Sequence, residues 1–196
     1  EALTDLMGAG CWPGSAGLPL ALARAGILLE REDWRRTARE FVTHLPVPEG
    51  LDIIDGLAGD LLARAGAHAI EATDGTRLLN AILTAPIDDA TLTHSGYAHG
   101  VAGALHAIAA SPLPDTEIAP AVTRILEHLE ALRTPDSRAW LSSTFPDSGV
   151  ATAWCHGGAG IALGVAAAHT ARPGLIPTAL VDAAVATMAA DGFGRN

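Results

Sequence analysis

The sequence predicts an all-α fold built from repeated helical hairpins, and three observations point to it. First, a glycine cassette opens an apolar, alanine-rich run four times: Gly14-Ser15-Ala16-Gly17, Gly56-Leu57-Ala58-Gly59, Gly100-Val101-Ala102-Gly103 and Gly157-Gly158-Ala159-Gly160. The starts are 42, 44 and 57 residues apart, so one structural unit recurs. Second, 49% of residues are hydrophobic but only 4% are aromatic, so alanine and leucine carry the apolar content. That balance suits close-packed helices better than a sheet. Third, segments between the cassettes show narrow apolar stripes at helical spacing. Inner helix, loop, outer helix and loop therefore alternate, an order that stacks as a solenoid or closes into an α/α toroid. Glycines at the helix starts let backbones crowd together at one end, which suits closure around a centre.

Taken in chain order, Ser15 to Leu29 is almost wholly apolar and predicts a helix buried around most of its girth. Trp34, Ala38, Phe41, Val42 and Leu45 then make a stripe, with Arg35, Arg36, Arg39 and Glu40 opposite. Leu57 to Ala72 predicts a second inner helix, and Val101 to Ala110 a third. Ile118, Val122, Ile125, Leu126, Leu129 and Leu132 predict an outer helix with Pro120 in its first turn, where a missing N–H costs nothing. Ala159 to Ala171 predicts the last inner helix, and an outer helix follows it. The links at 45–50, 111–116 and 134–149 are rich in Pro, Gly and Asp, and the last has room for a short extended segment near Trp140 and Leu141. No link resembles a tether between domains. Neither end looks like a cap, so residues 1–196 are expected to be one domain truncated at both ends.

The net charge of −10, with no lysine, leaves no basic stripe for a nucleic-acid backbone. Two cysteines do not make a disulfide framework, and the first residues lack the basic start and apolar core of a signal peptide. Arg24, His106 and His169 interrupt the longest apolar runs, so no membrane span is expected. These features together predict a soluble cytoplasmic chain.

Chemistry concentrates just ahead of the cassettes. Cys155 precedes a helix start, where exposed N–H groups favour an anion. The thiolate is the form that attacks carbon or binds a soft metal such as zinc. A lone cysteine is more often a small buried hydrophobe, and a cysteine followed by one histidine is not a zinc site. His99 holds the matching place one repeat earlier and would suit proton transfer at neutral pH, against the plainer reading of a loop histidine. His156 is open to both readings. Asp52, in Leu51-Asp52-Ile53-Ile54-Asp55-Gly56, is flanked by apolar residues and needs a partner. It would orient a histidine such as His99 if the repeats converge, while either acid there could instead cap the helix. Cys11 and the six remaining histidines (His44, His68, His94, His106, His128 and His169) read as structural or surface residues.

These strings resemble the lanthionine synthetase C-like (LanC-like) family. Ser95-Gly96-Tyr97-Ala98-His99-Gly100-Val101-Ala102-Gly103 is similar to its Ala-His-Gly-x-x-Gly motif. Trp154-Cys155-His156-Gly157-Gly158-Ala159-Gly160 is similar to its Trp-Cys-x-Gly-x-x-Gly motif, and Leu51 to Gly59 resembles the earlier Asp-containing repeat. The resemblance implies an α/α toroid of seven hairpins, about four of them in this chain, around a zinc ion. It implies addition of peptide cysteine thiols to dehydroalanine or dehydrobutyrine, giving thioether rings. Cys155 would be one zinc ligand, His99 the acid/base and Asp52 its orienting partner, with Trp154 and His156 contacting substrate. The family's other zinc ligands belong to a Cys-His-Gly motif in the next repeat, expected beyond residue 196. Where single-domain cyclases commonly carry tyrosine and an upstream arginine, this chain has His156 and Ala151. Trp-Cys-His-Gly is more similar to the cyclase domains of bifunctional (class II or class IV) synthetases. The implied partners are a dehydrated precursor peptide with its leader and a joined dehydratase or kinase/lyase region.

Three other readings of the sequence stand beside this one. A LanC-like toroid without cyclase activity would serve as a thiol- or peptide-binding module or scaffold. An α/α-barrel glycosidase would need two facing carboxylates, for which only Asp52 and Asp55 stand out. A bare helical-repeat interaction protein leaves the prefixes at His99 and Cys155 unexplained.

Overall fold

The structure is a computed structural model that describes residues 16–45, 48, 50–85, 90–136, 139–145 and 147–191. Cys11 and the first two residues of the first cassette lie outside the described residues. The elements are helical: α1 (Gly17–Leu28), α2 (Glu32–Val42), α3 (Leu57–Gly66), α4 (Ala72–Thr84), the single turn α5 (Ala90–Thr93), α6 (Val101–Ala110), α7 (Asp115–Ala131), α8 (Gly158–Ala171) and α9 (Thr178–Asp191). Inner helices α1, α3, α6 and α8 pack side by side in that order, and α2, α4, α7 and α9 each back the inner helix before them. This is the expected all-α arrangement of hairpins in an arc.

Burial follows place in the arc. Helix α6 has neighbours on both sides and behind it, and only His106 and Ala110 escape full burial. Helix α1, at one edge, buries only Pro19, Ala23 and Gly26, and leaves Leu18, Ile27 and Leu28 exposed. The expectation of burial around most of its girth is corrected here, because among the described residues α1 packs on α2 and α3 alone of the helices. The main core lies between α3, α4, α6, α7, α8 and α9, and a smaller alanine-rich cluster joins α1, α2 and α3.

Two local expectations also change. The helix expected over Leu57 to Ala72 ends at Gly66 and restarts at Ala72. His68 has φ 55°, with His68 N bonded to the carbonyl of Ala65 and Ala69 N to that of Arg64. That paired pattern is a Schellman stop. A glutamate cap then starts α4: Glu71 and Asp74 form a reciprocal capping box. Helix α7 begins at Asp115, so Pro120 sits past the first turn and removes one interior hydrogen bond rather than none. The earlier start is favoured by Asp115 and Glu117 at the positive end of the helix dipole.

Arginines tie adjacent hairpins. Arg172, just past α8, donates to the carbonyls of Ala109, Ser111 and Leu113 and to the Asp115 carboxylate, at 2.7–3.0 Å. One side chain thus satisfies the orphan carbonyls ending α6 and fixes the start of α7. Arg124 of α7 does the same for the carbonyls of Ile82 and Ala85 at the end of α4. Arg172→Ala is expected to cost about 2–3 kcal/mol, since part-buried carbonyls lose charged donors. Thermal unfolding of the variant should show a midpoint lowered by several degrees; an unchanged midpoint would remove Arg172 from this role.

Candidate functional site

The segments before α3, α6 and α8 have the same local design. Leu57 N donates to Gly50 O, Val101 N to His94 O and Gly158 N to Ala151 O, at 2.8–3.0 Å and with the same seven-residue offset. Backbone carbonyls therefore cap these helix starts. The helix-capping alternative for Asp52 and Asp55 is not realised, because Gly56 is the N-cap and no side chain caps α3. The shared offset aligns Asp55, His99 and His156, each directly before a cassette glycine. Cys155 aligns with Ala98, one residue off the match expected with His99.

The three loops lie edge to edge. Ile53 N donates to Ala98 O at 3.0 Å, Tyr97 N to Trp154 O at 3.0 Å, and His99 N to Cys155 O at 3.5 Å. The second and third loops also approach backbone to backbone. A Cβ at Gly96 would overlap the Cys155 carbonyl oxygen and come within 2.5 Å of the His156 Cα, so only glycine lets the loops meet this closely. Buried Ser95 fastens the pair, its one hydroxyl proton shared between Ser142 O at 3.3 Å and His156 O at 3.2 Å.

Side chains from the first two loops join directly. His99 Nδ1 lies 2.9 Å from Asp52 Oδ2, with Asp52 largely buried and His99 41% exposed. An ionised carboxylate only accepts, so Nδ1 donates at this contact and Nε2 is the ring nitrogen left to exchange a proton. Asp52 Oδ1 also accepts from Asp55 N at 3.0 Å. The Asp55 carboxyl is held above its usual range, first by a hydrogen bond shared with Asp52, then by burial and the Asp52 charge, while His99 opposes the rise. The Asp52 carboxylate is thus held at Oδ1 by the Asp55 backbone while Oδ2 meets His99.

The third loop adds a thiol and two rings. Cys155 is a free, half-buried thiol. Trp154 is 42% exposed, and its ring centroid lies 6.2 Å from that of Tyr97. Tyr97 in turn shares a 2.7 Å hydrogen bond with His106 Nδ1, and burial lowers the proton affinity of that imidazole. His156 stacks on His99, with centroids 5.2 Å apart and planes 19° apart, and its proton affinity is lowered by burial and then by His94 and His99.

Sequence reasoning named Asp52, His99, Trp154, Cys155 and His156; the structure brings the first two into a hydrogen bond and the last three beside them. It missed Tyr97, whose aromatic character at the position aligned with Ile53 and Trp154 was an available signal. It also read His94 and His106 as surface or packing residues. Among the described residues, no group of three or more His, Cys, Asp or Glu side chains could hold a metal ion. Cys155 supplies a soft donor, so these residues do not complete the tetrahedral shell that zinc takes in protein sites.

No helix among the described residues is long and apolar enough to cross a membrane. No curated protein matches the chain. The family model described as lanthionine synthetase C-like protein matches residues 3–188. With its glycine-started inner helices and the three motif loops meeting at their ends, the chain belongs to the lanthionine synthetase C-like family.

Proposed function

We propose that this chain is part of a lanthipeptide cyclase domain that adds peptide cysteine thiols to dehydroalanine or dehydrobutyrine, forming thioether rings. The observation carrying the reading is the Asp52–His99 hydrogen bond set beside the Cys155 loop. A carboxylate-oriented imidazole with an open Nε2 suits a reaction that moves one proton twice. His99 Nε2 accepts the proton of the substrate thiol as the sulfur attacks the β-carbon. The π pair of the alkene moves to the α-carbon and its carbonyl, giving an enolate. His99 then returns the proton to the α-carbon, so atoms and charge balance. Asp52 holds the ring in one tautomer throughout and steadies the transient imidazolium. Trp154, exposed at the rim, contacts the peptide.

Zinc is part of the proposal. Cys155 would be one ligand, and the others would come from a Cys-His-Gly segment outside these 196 residues. When bound, such an ion favours the substrate thiolate and fixes its sulfur. The substrate is a dehydrated precursor peptide with its leader, and the parent protein would join this domain to a dehydratase or kinase/lyase region in the cytoplasm. The test is to incubate the full-length protein with a dehydrated cysteine-containing peptide and follow loss of alkylatable thiol by mass spectrometry. Thiol loss well above the buffer rate is expected. Peptide binding without thiol loss would instead make the domain a non-catalytic peptide-binding module.

A further inference from the structure

We infer that His156, with His94 behind it, is a positioning residue for His99, an inference that rests on the acid/base reading of His99. Four rings form a column. Phe145 meets His94 edge-on at 6.0 Å, His94 lies 5.2 Å from His156 at 47°, and His156 stacks on His99 at 5.2 Å. The column ends at Asp52 through the 2.9 Å bond from His99.

The column answers a question the Asp52 bond leaves open. His99 is 41% exposed, and one hydrogen bond at Nδ1 fixes the tautomer but leaves the ring free to swing about it. A near-parallel ring on its face removes that freedom and fixes where Nε2 points. His156 is itself held as a ring rather than through its nitrogens. Its Nδ1 is buried with no hydrogen-bond partner among the described residues, while Ser95 Oγ pins its carbonyl. Behind it, the link after α7 acts as a buttress. Ser95 N donates to Ser142 O at 3.0 Å and Thr144 N to Thr93 O at 2.9 Å, which sets Phe145 against His94. His156, expected from the sequence as a peptide contact, thereby takes a different task, and His94 gains one.

Steady-state kinetics of the full-length protein on a dehydrated cysteine-containing peptide test this. His156→Ala should lower kcat about tenfold, as misplacement of a reacting group does, with KM within about twofold. His156→Phe, which keeps the ring, should recover most of kcat. In a His99→Ala background His156→Ala should cost nothing more, because the group it positions is gone. His94→Ala should lower kcat by a smaller factor, about threefold, that also vanishes without His99; this arm decides the matter if His156→Ala does not fold. Losses that add to that of His99→Ala, a raised KM at unchanged kcat, or a phenylalanine as poor as alanine would overturn the inference. Full activity of His99→Ala alone would instead overturn the acid/base reading beneath it.

Discussion

Replacing His99 by alanine is expected to leave the full-length protein folded and able to hold zinc, yet to slow thioether formation about 10²–10⁴-fold, the usual contribution of a positioned acid/base. The fold should tolerate the change because the ring is 41% exposed and packs on His156 rather than in the core. The backbone of residue 99 keeps its contact with the Cys155 carbonyl whatever side chain it carries. Asp52→Asn should fall between wild type and His99→Ala. An amide presents both a donor and an acceptor where only an acceptor is wanted, so the opposite tautomer of His99 becomes accessible. A His99→Ala protein with undiminished rate would remove the imidazole from the chemistry.

Cys155→Ala is expected to abolish both metal retention and ring formation in the full-length protein, measured by elemental analysis and by thiol alkylation on the same sample. The loss should exceed that for His99 because a missing ligand removes the group that activates the nucleophile, not only its proton acceptor. The variant should remain folded. Cys155 is half-buried in a loop whose contacts run through its backbone carbonyl, which the substitution keeps. Full zinc content with full activity would assign Cys155 to packing.

The helices were legible wherever one physical cue dominated. Cassette glycines marked the starts of α3, α6 and α8 because the loop before each leaves no room for a Cβ, and stripes marked α2 and α7 because one face alone is buried. The stop at Gly66 was hidden because His68 takes a left-handed conformation usually given to glycine. The edge position of α1 was hidden because composition reports how apolar a helix is, not how many neighbours it has. At the site, residue types flagged Asp52, His99 and Cys155, but register needed the hydrogen bonds. The seven-residue carbonyl offset aligns His99 with His156, and no property of the string Cys155-His156 says which residue matches. The ring column was out of reach for the same reason. Phe145 comes from a link 51 residues after His94 in sequence, and only the bridge between His94 and Ser143 brings the two together.

The most direct test is zinc-edge anomalous diffraction from crystals of the full-length protein. The account predicts a metal peak about 2.3 Å from the Cys155 sulfur, with the His99 ring still on Asp52 and its Nε2 turned toward the metal's open side. A zinc peak away from Cys155, or a His99 turned from it, would contradict the account.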